Sequence, residues 1–284
     1  MGIRLAAITD EISQEFEHAL DVMLEYDVRG AELRGLWGVN IGDLDRAQTA
    51  RAKAALSERG MAVACLATPI YKCDIETDDT TVHGRMHLAS STPLAGQMEL
   101  LKRCCGLAHE FATPFIRVFA FWRKAALTAD LEQRIVNAFA EPAAIAKQEG
   151  VTLLLENEFA CMIGTGVEVA RVVRAIDSPH VRVCWDPGNA ATAGERAFPD
   201  GYEAARGLID HVHVKDLTLA ADGISPEWCV VGQGIIGYDA HIAAMRTDGY
   251  DGYLSLETHY VPKGGTPEDG SRPCLQALRT LLGV

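Results

Sequence analysis

Short apolar runs of strand length alternate with amphipathic stretches of helix length along the whole chain. Strands are predicted at 3–9, 29–34, 61–67, 115–121, 151–156, 181–186, 209–215 and 251–257. The helical spacing of apolar residues predicts helices at 13–26, 43–59, 93–111, 129–148, 166–176, 238–249 and 267–282. Eight strands that alternate with helices, with no Pro-, Gly- or Ser-rich linker, predict a single α/β domain over residues 1–284. The expected fold is a closed (β/α)8 TIM barrel.

Two long irregular segments, 68–84 and 218–236, follow predicted strands. Loops after barrel strands surround the mouth of this architecture, so we expect both segments to cover the mouth and to set specificity. The second segment runs into GQGIIG (232–237), which has the spacing of the dinucleotide motif G-x-G-x-x-G. Because this stretch follows a polar insertion and not an apolar strand, a doubly wound, dinucleotide-binding sheet is the weaker alternative.

Residues with metal-binding side chains end four of the predicted strands: Glu156, Asp186, His213 and Glu257. The carboxyl ends of barrel strands meet in one mouth, which would bring three carboxylates and one imidazole together. Such oxygen-rich ligation suits one divalent ion, with Mn²⁺ expected first and Mg²⁺, Co²⁺ or Zn²⁺ as alternatives. A salt bridge at the strand end is the other interpretation of each glutamate, and a turn residue before Pro-Gly is that of Asp186.

Other polar residues near the strand ends are candidates for substrate contacts. His211 and His213 share one face of their strand. We assign His213 to the metal, because it lies nearer the strand end, and expect His211 to form a hydrogen bond in the barrel core. Lys215 has the same parity and is expected at the rim, orienting a substrate oxygen or pairing with Asp216 or Glu158. The further substrate-binding candidates are Lys72, Arg117, Glu158, Asn189 and His259.

Basic and aromatic side chains are also frequent after the predicted strands. Cations at one mouth of an acidic protein indicate a substrate whose oxygens carry partial or full negative charge. Aromatic faces stack well on the C–H surfaces of sugars, although ordinary packing under the loops is the other interpretation. The basic residues are Arg34, Lys72, Arg117 and Arg123, and the aromatic ones are Trp37, Tyr71, Phe121, Trp122 and Tyr260.

Composition narrows the classes of partner. The 284 residues carry a net charge of −13 with a pI near 5.1, which argues against a nucleic-acid partner and favours a small-molecule carbohydrate. The eight cysteines have no metal-site spacing and are expected as reduced thiols. The start of the chain lacks the apolar run of a signal peptide or membrane span, so we expect a cytoplasmic protein without a membrane partner. The composition is compatible with a homo-oligomer as well as with a monomer.

The strand-end motifs occur in a recognisable order. LLLEN, VCWDPGN, HVHVKD and LSLET, with ITDEIS and GAELRGLWG before them, resemble the sugar phosphate isomerase/epimerase superfamily with its xylose-isomerase-like TIM barrel. The likeness spans nearly the whole chain and is specific for the superfamily, not for one activity. It implies that Glu156, Asp186, His213 and Glu257 hold one divalent ion. It also implies that Glu156 and Glu257 are catalytic and exchange protons with the carbon beside a carbonyl.

The expected function is a divalent-metal-dependent isomerase or epimerase of a small keto-sugar or related polyol, acting through a metal-stabilised enediolate. The alternative is a lyase, an inosose-type dehydratase or a 3-keto-glycoside eliminase, that uses the same site. A non-catalytic sugar-binding barrel and an endonuclease IV-like nuclease are less favoured. That nuclease family has a histidine where this chain has Asn189, and another beyond strand seven, where KDLTLAADG has none. Many ketose 3-epimerases also have histidine at the Asn189 position, which leaves C3 epimerisation open.

Overall fold

The computed structural model describes residues 2–77, 92–223 and 225–284, and its main feature is a closed barrel of eight parallel strands. Neighbouring strands pair around the ring, and the last closes on the first with Tyr253 opposite Arg4. The predicted TIM barrel is therefore confirmed. The barrel strands are β1 (Arg4–Ile8), β2 (Gly30–Leu33), β3 (Ala62–Ala67), β4 (Phe115–Val118), β5 (Thr152–Glu156), β6 (Val181–Trp185), β7 (Ile209–Val214) and β8 (Tyr253–Leu256).

Helices surround the barrel. They are α1 (Phe16–Glu25), α2 (Arg46–Glu58), α3 (Gln97–Glu110), α4 (Ala129–Ala138), α5 (Ala140–Glu149), α6 (Gly166–Ile176), α7 (Pro187–Thr192), α8 (Tyr202–Ala205), α9 (Tyr238–Thr247) and α10 (Pro267–Leu282). Across the described part of the chain, none of them has the length and apolar character that a membrane crossing requires.

The helix prediction needs two corrections. The stretch 129–148 is two helices that meet at Phe139, not one. Pro142 lies in the first turn of the second helix and has no N–H to donate to Ala138, so a continuous ladder of hydrogen bonds would be broken there. The short helices α7 and α8 were not predicted, because four to six residues are too few to show helical periodicity.

The inner face of the barrel changes from apolar to charged toward the carboxyl ends of the strands. Cys65, Leu154 and Cys184 form a small apolar cluster of buried residues. Two positions further on, Glu156 and Asp186 have the same strand parity and are also buried. The apolar side chains that fill the barrel are thus followed by carboxylates at the carboxyl ends of β5 and β6.

The two long segments after β3 and β7 contain ordered backbone hydrogen bonds. In the second, Asp216–Leu219 pairs with Pro226–Cys229 as an antiparallel hairpin, so the expectation of a wholly irregular segment is wrong. Of the first segment, residues 78–84 lie outside the described residues. Its described part is held by backbone bonds, including those from Phe121 N to Tyr71 O at 2.8 Å and from Trp122 N to Cys73 O at 2.9 Å.

His241 on α9 couples the fold to pH. It is fully buried among the rings of Trp185, Phe198, Tyr202 and Tyr238. Burial lowers its pKa from the usual 6.5 to about 4. Between these values the unfolded chain takes up a proton that the folded protein does not, so the free energy of unfolding falls as the pH drops from 6.5 to 4.

A His241→Phe variant should therefore lose part of this acid sensitivity. Across this pH window, the free energy of unfolding should fall by up to about 3 kcal/mol less in the variant than in the wild type. Denaturant unfolding of the wild type and the variant at several pH values measures it, with exposed His109→Gln as the control. Equal pH slopes in the wild type and His241→Phe would contradict the assignment.

Candidate active site

A cavity of about 330 Å³ lies at the carboxyl ends of the barrel strands. Both long segments contribute to its wall, through Thr68, Pro69 and Lys72 on one side and Pro226 and Trp228 on the other. Of the predicted substrate contacts, four line it: Lys72, Arg117, Glu158 and His259. The complete lining consists of Arg34, Asn40, Ala67, Thr68, Pro69, Lys72, Arg117, Phe119, Glu158, Phe159, Ala160, Pro226, Trp228, Glu257 and His259.

The four predicted metal ligands lie together beside this cavity. One ligand atom from each of Glu156, Asp186, His213 and Glu257 lies within 4.8 Å of the others, and all four residues are buried. His213 Nδ1 lies 3.4 Å from Glu156 Oε1, 3.5 Å from Glu257 Oε2 and 4.0 Å from Asp186 Oδ2. The ends of β5, β6, β7 and β8 thus converge on one point.

The arrangement of these atoms fits a divalent ion. Ligands about 2.1 Å from one ion are separated by roughly 3 to 4 Å, which matches the distances around His213. Among the described residues, His213 Nδ1 has no hydrogen-bond partner. A ring nitrogen beside three carboxylates is a position where positive charge is stabilised, whether a proton or a metal ion supplies it. Three carboxylates and one imidazole nitrogen are suitable ligands for Mn²⁺, Mg²⁺ or Zn²⁺.

Charge around the cluster also favours a cation. In the described residues, seven buried carboxylates lie in or beside the cluster, and four Lys or Arg side chains face them. The acids are Asp10, Glu11, Glu32, Glu156, Glu158, Asp186 and Glu257, and the cations are Arg34, Lys72, Arg117 and Lys215. A divalent ion would remove most of the remaining negative charge.

Lys215 is placed differently from the prediction. It is 1% exposed, and its Nζ lies 2.8 Å from Asp186 Oδ2 and 2.7 Å from Glu257 Oε2, so the expectation of a rim position with Asp216 or Glu158 as partner is wrong. Gly188 makes room for it, because a Cβ there would lie 2.6 Å from Lys215 Cγ. Even an alanine at position 188 would therefore displace the Lys215 side chain.

Asn189 and His211 are also buried away from the cavity wall. Asn189 Nδ2 donates to Glu156 Oε1 at 2.9 Å, so this amide contacts a predicted metal ligand. Its predicted contact with substrate stays a prediction. His211 is fully buried in the barrel and pairs with Glu32, as expected for a core histidine.

The cations that line the cavity are all paired with carboxylates. Arg34 donates to Asp10 at 3.0 Å, Glu11 at 2.6 Å and Glu257 at 3.1 Å. Arg117 Nη1 lies 3.4 Å from Glu156 Oε2, and Lys72 Nζ lies 3.4 Å from Glu158 Oε2. Their charge is directed largely at the protein's own acids. The remaining predicted basic residue, Arg123, is bound to the backbone oxygens of Cys161 and Met162.

The carboxylates of the cluster differ in proton affinity. Burial would raise the pKa of Glu257, but the Lys215 ammonium and the nearby histidines hold it well below its usual range. At Glu156, burial raises the pKa of the carboxyl group, but His213 and Arg117 lower it by more. The pKa of Glu156 is therefore below its usual value. At Asp186, burial prevails over the attraction of Lys215 and raises the pKa to about 7. Glu156 and Glu257 are therefore the two members that stay ionised most readily.

The glycine-rich stretch 232–237 has a structural role. The Asp216 carboxylate accepts hydrogen bonds from Gly232 N at 2.9 Å, Gly234 N at 3.0 Å and Leu217 N at 2.9 Å. A Cβ on Gly234 would lie 2.1 Å from Asp216 Oδ1. These backbone donors thus bind a side chain of this protein, which fixes the segment that carries Trp228.

Three acids of the site were not assigned from the sequence: Asp10, Glu11 and Glu32. Asp10 and Glu11 lie just after β1 and pair with Arg34. Glu32 lies within β2, at 0% exposure, and bonds both His211 and His213. A charged residue inside an apolar strand was a visible signal for Glu32, although its partners lie about 180 residues away.

Comparison with known proteins establishes the family. The model of the xylose isomerase-like TIM barrel family matches residues 20–281. The chain belongs to that family.

Two curated relatives of this chain are enzymes with different activities. It is 31% identical over 110 residues to the 3-oxo-isoapionate decarboxylase of Pectobacterium atrosepticum, covering 37% of the chain and 39% of that enzyme. This match thus spans about two-fifths of the decarboxylase. It is 20% identical over 278 residues to the inosose dehydratase of Geobacillus thermodenitrificans, covering 93% and 91% of the two chains.

Solved structures share the fold. The 3-keto-D-glucoside 4-epimerase of E. coli superposes with a TM-score of 0.72 at 18% identity, covering 100% of both chains. The zinc-bound IolI protein superposes with a TM-score of 0.76 at 15% identity, covering 99% of this chain and 98% of the other. At these identities the likeness concerns the fold.

Proposed function

We propose that this protein is a divalent-metal-dependent isomerase or epimerase of a small, uncharged keto-sugar or related polyol. One observation carries the proposal. Glu156 Oε1 and Glu257 Oε2 lie at 3.4 and 3.5 Å from the same nitrogen of His213, with Asp186 completing a buried set of donors. This set can hold a cation and present two carboxylates beside it. Mn²⁺ is the ion we expect first, because oxygen ligands predominate.

The reaction moves a proton at the carbon beside a ketone. A divalent ion held by the four ligands would polarise the ketone and the adjacent hydroxyl, which acidifies that C–H bond. Glu257 lines the cavity and takes the proton, since Lys215 and Arg34 keep its carboxylate ionised. In an epimerisation, Glu156 would first take up a proton from solvent and then return it to the carbon, while Glu257 would release its own proton to solvent. His259, whose Nε2 lies 3.9 Å from Glu257 Oε1, can carry a proton between Glu257 and the cavity.

The pairing of the cavity cations supports an uncharged substrate. Arg34, Lys72 and Arg117 each contact a carboxylate of the protein, and the acids around the site outnumber the cations. A phosphate or carboxylate group would have to displace one of these buried partners. The carbon faces of Phe119 and Trp228 in the same wall suit the C–H surface of a sugar ring. This narrows the sequence-based expectation, which allowed a substrate with full negative charge.

A sugar phosphate should therefore bind much more weakly than its parent sugar. We expect at least a tenfold lower kcat/KM for the phosphorylated form of any substrate that turns over, since each tenfold corresponds to about 1.4 kcal/mol. Steady-state kinetics with matched pairs measures the ratio. Higher kcat/KM for the phosphate ester would contradict the assignment of the substrate class.

Isotope exchange tests the proposed reaction. The purified protein, loaded with MnCl2, is incubated in D2O with uncharged ketoses, inosose and 3-keto-glucosides, and the products are examined by NMR and mass spectrometry. We expect an isomer that carries deuterium at the carbon beside the carbonyl, and no product after removal of the metal with a chelator. Tight metal binding at the four ligands without deuterium exchange across the panel would count against the proposal.

A lyase is the second candidate, and a specific observation favours it. Of the two glutamates, Glu257 lines the cavity, whereas Glu156 is 1% exposed and bonded to Asn189. Elimination needs one base and one proton donor side by side, and Glu257 and His259 would supply this pair. The likeness to inosose dehydratase covers 93% of the chain. Loss of water or of an aglycone in the same experiment would select this reaction over isomerisation.

A further inference from the structure

Glu32 is a buried carboxylate that contacts two histidines at once. It lies on β2 inside the barrel at 0% exposure. Its Oε2 lies 2.8 Å from His211 Nε2 and its Oε1 lies 3.0 Å from His213 Nε2. The two imidazole rings stand edge to face, with their centroids 5.4 Å apart. No lysine or arginine of the described residues is paired with Glu32.

These contacts decide which nitrogen of His213 carries hydrogen. An ionised carboxylate can only accept hydrogen bonds, so both Nε2 atoms are donors. When the His213 ring is neutral, its lone pair is then on Nδ1, which faces the oxygens of Glu156, Glu257 and Asp186. Without an acceptor at Nε2, these three carboxylates would attract the hydrogen to Nδ1, and that nitrogen could no longer bind a metal.

We propose that Glu32 is a positioning residue that selects the metal-binding tautomer of His213, with His211 holding the second oxygen of the same carboxylate. The inference rests on the proposed function, because it assigns Glu32 a role toward the same metal centre. His211 satisfies Oε2 and so keeps Oε1 directed at His213. This gives the core histidine a role beyond packing. An outer partner of this kind typically changes metal affinity by about 10- to 100-fold.

The test compares Mn²⁺ binding to the wild type, Glu32→Gln and Glu158→Gln by calorimetric titration with MnCl2. Glu32→Gln keeps the shape of the side chain, replaces the charged acceptor with an amide and should weaken Mn²⁺ binding by about 10- to 100-fold. Glu158→Gln removes a carboxylate that lines the cavity and pairs with Lys72, not with His213. It should change the affinity by less than threefold, which separates the tautomer effect from a general loss of negative charge.

A spectroscopic measurement distinguishes this role from a structural one. In the metal-free protein, at a pH high enough for the His213 ring to be neutral, ¹⁵N shifts of His213 should report hydrogen on Nε2 in the wild type and a shift toward Nδ1 in Glu32→Gln. If Glu32→Gln does not fold, Glu32→Asp is used in its place. This variant keeps the charge but has a shorter side chain, so its Mn²⁺ affinity should be lower than that of the wild type.

The outcomes separate the two proposals. A wild-type protein that binds no Mn²⁺ at the cluster overturns the proposed function and this inference with it. A wild type that binds Mn²⁺, together with a folded Glu32→Gln of equal affinity and unchanged ¹⁵N shifts, overturns the inference alone. If Glu32→Asp binds Mn²⁺ as tightly as the wild type or more tightly, and its His213 tautomer is unchanged, that result would also count against the inference.

Discussion

Replacing Glu257 by Gln is expected to lower kcat by about 10²- to 10⁴-fold, the usual cost of losing a general base. Glu257 contacts the cavity and both Arg34 and Lys215, which keep the carboxylate ionised. The amide can neither take the proton nor bind the metal as well as a carboxylate. Glu156→Gln should give a loss of the same order, because Glu156 is the proposed second proton carrier. Steady-state kinetics at saturating Mn²⁺, with the metal content measured in parallel, tests both variants.

Glu158→Gln is the matched control for this prediction. Glu158 lines the same cavity and is also paired with a cation, but it lies outside the predicted ligand set. Its effect should be small and should appear mainly in KM. If Glu257→Gln retains the wild-type rate with a full complement of metal, Glu257 is a structural residue and the proposed base is wrong.

Replacing Lys215 by Met is expected to destabilise the metal-free protein by about 3 to 5 kcal/mol, the usual cost of removing one partner of a buried ion pair. The ammonium lies between Asp186 and Glu257, and all three side chains are buried. Its removal leaves two carboxylates without their nearest cation. Mn²⁺ should restore part of the loss, since it would compensate the same oxygens. Urea unfolding with and without MnCl2 measures both effects.

Lys72→Met provides the comparison for this ion pair. Lys72 is also a lysine of the site, but it lines the cavity and reaches Glu158 at the longer distance of 3.4 Å. Solvent in the cavity can replace its contact, so the free energy of unfolding should fall less, and MnCl2 should have no additional effect on it. Equal unfolding midpoints for wild type and Lys215→Met without metal would refute the stabilising role of Lys215.

The error about Lys215 shows where reasoning from the sequence stopped. Strand parity placed Lys215 on the same face as His213, and that part is confirmed by its burial inside the site. Parity does not tell how a four-carbon side chain bends. Here it turns back between Asp186 and Glu257, because Gly188 leaves space and two carboxylates attract the ammonium. The prediction of a rim position ignored both influences, which come from other strands.

Glu32 shows a different kind of omission. Its position after two apolar residues of β2 could have drawn attention, as it did for Glu156 and Glu257. Its partners, however, come from β7, and local sequence carries no information about which strand faces which across a barrel interior. The break at Phe139, by contrast, could have been predicted from Pro142 alone.

Local sequence patterns were enough to predict the eight strands, the closed α/β barrel and the positions of Glu156, Asp186, His213 and Glu257 at strand ends. These depend on local periodicity and on the rule that parallel strands end on one side, so they need no knowledge of distant contacts. The ion pairs, by contrast, could be read only from the folded barrel, in which Lys215 meets Asp186 and Glu257, and Glu32 meets two histidines. Electrostatic pairing in a buried site depends on distances of about 3 Å between residues far apart in the chain, and these distances arise when the barrel closes.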